Sequence, residues 1–154
     1  MKRPLRTAGL AGLALLAAIQ FIRPAKNLGA AEGPQDVAAR VAVPAEVRRL
    51  LADACYNCHS DRTAYPWYAD VEPVGWWLAD HVKEGKAHLN FSRFAAYPAT
   101  RAGRKLDSLA ELVDKQGMPL ASYTWLHSEA RLATAQRALI VNWAQAARSQ
   151  FPEP

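Results

Sequence analysis

The chain has 154 residues, 51% of them hydrophobic, and its 19 Lys and Arg against 14 Asp and Glu give a formal net charge of +5. Lys2, Arg3, Arg6, Arg23 and Lys26 carry that whole excess, because 14 basic and 14 acidic residues remain beyond position 26. The high isoelectric point therefore belongs to one end of the chain, and a nucleic-acid partner for the remainder is excluded.

Met1-Lys-Arg-Pro-Leu-Arg6 is a basic start, and Thr7 to Ile22 is almost wholly apolar before Arg23-Pro-Ala-Lys26 interrupts it. The pattern predicts an apolar N-terminal helix over residues 1–26, acting as a signal peptide or a signal anchor with its N-terminus inside. A helix of about 15 apolar residues reaches only about 22 Å, short of the roughly 30 Å hydrocarbon core, which favours a cleaved signal. Against cleavage, Gln20-Phe-Ile-Arg-Pro24 has no small-x-small site close behind it, and Ala30 and Ala31 lie past two positive charges. Both readings stay open, and either one exports the bulk of the chain.

Residues 27–43, with Asn27, Gly29, Gly33 and Pro34 among small residues, read as a linker of mixed flexibility. Residues 44–152 follow as one domain, large enough for a single core. Pro44 starts a helix through about Ala54 that carries Val47, Leu50, Leu51 and Ala54 on one face. Residues 60–73, which include Pro66 and Pro73, should be irregular. Gly75 to Leu89 is the next helical stretch, with Val74, Leu78, Val82 and Leu89 in a stripe. Arg101 to Gln116 follows, with Leu106, Leu109, Leu112 and Val113 inward and Gly117 where a C-cap glycine belongs. Ser128 is placed to cap a long closing helix that carries Leu132, Ala135, Leu139, Ile140 and Trp143. With no convincing period-2 run, the domain is expected to be all-α.

Between the first two of these helices lies Cys55-Tyr56-Asn57-Cys58-His59, a Cys-x-x-Cys-His run that uses both cysteines of the chain. Two thiols at this spacing can each add to one vinyl group of a single porphyrin, and the adjacent imidazole can reach the iron. A structural zinc site wants four ligands, and His81, His88 and His127 supply no second pair at zinc spacing. A redox dithiol of the thioredoxin kind wants a strand before the motif, whereas both flanks here read as helical. A lone disulfide across two residues is strained. The run therefore predicts one covalent haem c held by Cys55 and Cys58, with His59 as the proximal iron ligand.

Gly117-Met118-Pro119 can present a thioether on a stiffened loop, which makes Met118 the leading distal ligand. His81 and His88 lie seven apart on one helical face, with Trp77 four residues before His81, and His127 precedes Ser128; these three histidines are the distal alternatives. Trp67, Trp76 and Trp77 are candidates to line the haem pocket, while Trp143 is expected to meet the first helix of the domain. Pro73 is placed to offer its carbonyl to the His59 ring. A sulfur ligand opposite His59 suits electron transfer and requires no catalytic residue. The alternative is a peroxidase-like haem enzyme or a ligand sensor with an open or displaceable distal site, in which one of the histidines acts as acid and base.

The order of parts resembles class I cytochrome c: a helix, the Cys-x-x-Cys-His turn, an aromatic-rich loop, a Met-Pro loop and a closing helix. More closely, the chain resembles the small haem-binding domain proteins of bacterial envelopes. The matching stretches are Gln20-Phe-Ile-Arg-Pro24, Cys55 through Ser60, Tyr65-Pro-Trp-Tyr68, Gly75-Trp-Trp-Leu78, His81-Val-Lys-Glu-Gly85, Leu89-Asn-Phe-Ser92 and Gly117-Met-Pro-Leu120, with Tyr123 and His127. The resemblance implies a cytochrome c-like helical domain around one covalent haem, working in electron transfer. The N-terminal segment predicts a place on the periplasmic side of the bacterial inner membrane, anchored or exported, with the membrane met through that segment, and the expected partners are redox proteins of the envelope.

Overall fold

The computed structural model describes residues 2–153, with side chains from residue 6 onward; the side chains of Lys2 and Arg3, part of the basic start, lie outside the described residues. Seven helices succeed one another: α1 (Lys2–Ile19), α2 (Ala45–Ala54), α3 (Tyr56–His59), α4 (Val74–His88), α5 (Ala99–Asp114), α6 (Ala121–Leu126) and α7 (Thr134–Arg148). Short 3-10 turns at Val37–Ala39, Trp67–Asp70, Phe91–Ala96 and Ser128–Ala130 punctuate them. An isolated antiparallel bridge between Leu28 and Arg62 is the only β pairing among the described residues.

In α2, Val47, Leu50, Leu51 and Ala54 recur at helical spacing and are all buried. In α5 the inward stripe is Leu106, Leu109, Ala110 and Val113, while Leu112 stays 45% exposed. These two stripes meet Ile140, Trp143, Ala144 and Ala147 of α7, and Phe91 and Phe94 from the turn after α4 fill the remaining space with no exposure at all. Trp143 donates its indole N–H to the Ala42 carbonyl at 2.9 Å, so it holds the chain leading into α2.

The closing helix begins later than its cap residue suggested. Ser128 opens a 3-10 turn, and the chain then runs extended until Ala133, whose N–H is taken by Gln136 Oε1 at 2.8 Å. Ala130, at the end of the 3-10 turn, and Leu132, in the extended link after it, are both buried, a spacing that a continuous helix from Ser128 would not give. Helix α6 had no periodic signal because none of its residues is buried. The end of α5 also differs. Gln116 takes the left-handed conformation at φ 58°, and Gly117 sits one place later, donating to Leu112 O at 2.8 Å. This is the double closure of a Schellman motif, with glutamine in the seat that glycine usually takes.

Residues 27–43, read as a flexible linker, are built into the domain. Val37 and Val41 are 1% and 3% exposed, and Asp36 caps the Val37–Ala39 turn by accepting from the Ala38 and Ala39 N–H groups. Asn27 donates to Ser60 O and Thr63 Oγ1 and accepts from Lys86 Nζ, tying this strap to the residue after His59 and to α4. A tether was expected because small residues, Gly and Pro dominate the stretch; the polar residues among them find specific partners instead.

α1 leaves the domain carrying Leu10, Leu13, Leu15 and Leu16, each more than half exposed. No helix among the described residues is long and apolar enough to cross a membrane. Its last turn is nevertheless fastened. Gln20 donates to Glu72 O at 3.0 Å and accepts from Glu72 N at 2.9 Å. The Glu72 side chain is buried and caps the start of α4 by accepting from the Trp76 N–H at 2.8 Å, where the helix dipole favours a carboxylate.

Asp61 gathers three donors: Arg93 Nε at 2.8 Å, Asn90 Nδ2 at 2.9 Å and Lys86 Nζ at 3.0 Å. Burial pushes its carboxyl up, but the hydrogen bonds from Arg93, Asn90 and Lys86 outweigh that and hold it at about 2. Because the folded value is depressed, its stabilisation is present above the ordinary carboxylate range and is lost as pH falls toward about 2. The ceiling is about 2 kcal/mol, reduced by solvent screening at the exposed Arg93. Unfolding in urea from pH 6 down to 2.5 is expected to show this loss below about pH 4. Asp61→Asn should remove that part of the pH dependence while lowering stability at neutral pH.

Candidate functional site

α2 ends by directing Cys55 out of the helix at φ −126°, ψ −41°, its N–H still bonded to Leu51 O at 2.9 Å. The single turn α3 follows, with His59 N donating to Cys55 O at 2.9 Å, so both thiols and the imidazole lie on one tight coil of backbone. All three line a cavity of about 440 Å³. Its far walls come from α4, from α5, and from the Met118-Pro119-Leu120 loop with Tyr123. The volume falls within the roughly 300–1,000 Å³ of small-molecule and cofactor sites.

α4 reaches the motif at Gly85. A Cβ there would stand 2.6 Å from the Cys58 carbonyl oxygen and 3.1 Å from Cys58 Cβ, so only glycine allows the helix to lie against the thiol-bearing turn. The approach also delivers the Leu89 carbonyl, 3.0 Å from His59 Nδ1. A carbonyl can only accept, so Nδ1 carries the proton and the Nε2 lone pair is left for a metal. Leu89 thus fills the part expected of Pro73, whose own carbonyl accepts from the Trp77 N–H at 3.2 Å inside α4. Burial lowers the His59 pKa, with the Leu89 and Gly85 carbonyls opposing that shift and His88 adding to it. Burial, and to a lesser degree the neighbouring Cys58, pushes the Cys55 thiol up to about 12; burial likewise raises Cys58.

Met118 lines the same cavity as His59, half-buried, and its carbonyl is held by Arg137 Nη1 at 3.1 Å. His81 and His88 also line it, on one face of α4 with Asp80 and Glu84. His81 donates from Nδ1 to Trp77 O at 2.8 Å, which leaves its Nε2 unengaged by that bond. His127 does not reach the cavity. Its Nε2 meets Tyr68 Oη at 2.6 Å and its Nδ1 meets Glu129 Oε1 at 3.0 Å, so both ring nitrogens are taken. It acts from behind, stacked on the cavity-lining Tyr123 with ring centres 4.2 Å apart.

The three tryptophans expected in the pocket stand outside its lining. Trp67 is 80% exposed, Trp76 donates its indole N–H to Ile22 O at 2.6 Å, and Trp77 lies over the outer side of the wall, its ring 4.2 Å from that of His81. Composition signalled aromatic partners for a flat cofactor; the apolar wall is instead aliphatic, from Leu89, Leu109, Leu112 and Val113, with Phe91. Sequence reading also passed over Lys105, the only lysine or arginine on the cavity wall among the described residues. Burial lowers its pKa, with Arg101 and Arg104 adding to the effect. Asn57, inside the motif, was missed as well: its Nδ2 holds Tyr123 Oη at 2.7 Å and its Oδ1 accepts from the Ala64 N–H.

These features suit a planar, largely apolar, iron-bearing macrocycle with acidic side groups. Two thiols line the cavity, and the bond at Nδ1 leaves the His59 Nε2 for a metal. Much of the wall is aliphatic, and among the described residues Lys105 is the one lysine or arginine that lines it. Among the described residues, no group of three or more His, Cys, Asp or Glu converges to hold a bare metal ion. Gly85→Ala is expected to force α4 off Cys58, lowering the urea midpoint and the fraction of purified protein that carries haem. An unchanged haem-to-protein absorbance ratio would show that the close approach is dispensable.

No curated protein and no solved structure matches the chain. The haem-binding domain family matches it over residues 14–146, a span that contains every residue lining the cavity. The chain therefore belongs to the haem-binding domain family.

Proposed function

We propose that the chain is a monohaem c-type cytochrome that carries electrons between redox proteins of the bacterial cell envelope. The observation that carries this reading is one cavity with Cys55, Cys58 and His59 on one wall and the thioether loop of Met118 on another. Haem, when bound, supplies an iron that changes oxidation state by one electron.

The protein's part is binding and electrostatics. Cys55 and Cys58 are the attachment points, and His59 offers Nε2 because Leu89 fixes the proton on Nδ1. The carbonyl partner strengthens the imidazole as a donor, and Met118 would hold the iron through its thioether, a sulfur ligand that would raise the potential. Leu109, Val113 and Phe91 exclude water from the site, and Lys105 offsets carboxylate charge at the α5 side. Electron transfer of this kind needs no acid or base.

A second reading rests on the α4 wall. His81, Glu84 and His88 all face the cavity, so displacement of Met118 would leave an acid and base group beside an open iron position, as a peroxide-reducing enzyme or a ligand sensor requires. Attachment and ligation are tested separately. The double variant Cys55→Ser, Cys58→Ser should release all its haem to acidified acetone, whereas the unaltered protein should retain it; equal retention would sink the covalent assignment. Met118→Ala should abolish a ferric sulfur-to-iron absorption band, lower the reduction potential and open the iron to carbon monoxide. If the unaltered protein already binds carbon monoxide rapidly, the enzyme or sensor reading takes precedence.

A further inference from the structure

We propose that the rim of the haem domain around the exit of α1 is a lipid-contacting face that seats the domain on the headgroup layer of a bilayer; the proposal rests on membrane attachment through α1. The chain leaving α1 is clamped to this rim. Gln20 pairs with both backbone groups of Glu72, Trp76 reaches Ile22 O with its indole N–H at 2.6 Å, and Asp70 binds Lys26 at 2.8 Å and Arg23 at 3.6 Å. Around that clamp the surface is apolar: Phe21 is 88% exposed, Ile22 64%, Val71 44%, Val74 39% and Trp76 36%.

Single exposed apolar residues need no explanation, but the Gln20–Glu72 pair and the Trp76–Ile22 bond bring the segment of Phe21 and Ile22 to that of Val71 and Trp76, and Phe21 and Ile22 follow α1 directly in sequence. An indole among aliphatic side chains has the make-up of a lipid–water interface, where aromatic rings lie at headgroup depth, and Asp70 pairs with Arg23 and Lys26 beside it. Length points the same way. The apolar part of α1, from Thr7 to Ile19, rises only about 20 Å, short of the roughly 30 Å hydrocarbon core, so an α1 entering the bilayer draws whatever is fixed to its end against the lipid. A loose linker would release that constraint, and the Gln20–Glu72 clasp removes the looseness. Because α4 begins at this rim and carries His81 and His88 to the cavity, the lipid-bound face holds the cavity about 10–20 Å along α4 from the surface.

The test uses the full chain with its haem, reconstituted into vesicles of phosphatidylethanolamine and phosphatidylglycerol with a trace of phospholipid bearing a photoactivatable diazirine next to the headgroup. After illumination, mass spectrometry maps the lipid adducts. Adducts are expected on Phe21 and on the peptide from Val71 to Trp76 as well as on α1, and Val71→Asp should cause a several-fold loss on that peptide while α1 remains labelled. Adducts confined to α1 would overturn the proposal, as would cross-linking of the Val71–Trp76 peptide to a second copy of the chain in place of lipid. If the protein fails to float with the vesicles and takes no label anywhere, the membrane attachment itself is wrong, a result distinct from labelling of α1 alone.

Discussion

The site depends on one close approach: α4 lies on the Cys-x-x-Cys-His turn at Gly85, at a distance that leaves no room for a Cβ beside the Cys58 carbonyl. From that contact follow the reach of Leu89 O to His59 Nδ1 and the tautomer it imposes. The positions of His81 and His88 on the cavity wall follow from it too, since both ride on the same helix. A turn of five residues could not hold its own imbalance of buried thiols and a desolvated imidazole. It is stable because a helix is pressed against it and a carbonyl meets the ring.

The second constraint acts from the opposite side. The strap over residues 27–43 meets the residues just after the motif through polar groups, and Asn27 there satisfies the Ser60 carbonyl. Asn27 serves Ser60 and Thr63 and receives Lys86; Ser92 Oγ accepts the Asp61 N–H; Asp61 binds Asn90, Arg93 and Lys86. The residues that follow the Cys-x-x-Cys-His turn are thus held both to α4 and to the strap.

The cavity itself is uneven in charge. Asp80 and Glu84 stand on the α4 side and Lys105 on the α5 side, with aliphatic side chains between. A ligand with carboxylates on one edge meets repulsion at one wall and attraction at the other, which selects an orientation without a dedicated binding loop. His127 contributes from outside this space, its ring supporting Tyr123 and its nitrogens spent on Tyr68 and Glu129.

Helices α2, α4 and α5 were legible because each buries an apolar stripe at a 3.6-residue period, and the motif was legible because its chemistry lies in five consecutive residues. The missed elements share a cause: α6 buries none of its residues, Ala130 and Leu132 are buried through an extended link, and Gln116 occupies a glycine's seat because the closing bonds to Val113 and Leu112 hold it there. The sequence by itself determined an all-helical chain of the haem-binding kind, with its Cys-x-x-Cys-His turn between helices and an apolar helix at its start. Only the tertiary structure decided that Leu89 rather than Pro73 orients His59, that Met118, His81 and His88 share its cavity while His127 and the tryptophans do not, and that the supposed linker is a strap. Local pattern records what a residue can do, whereas which partner it meets depends on the approach of segments distant in sequence, and that approach is set by packing and hydrogen-bond satisfaction across the whole domain.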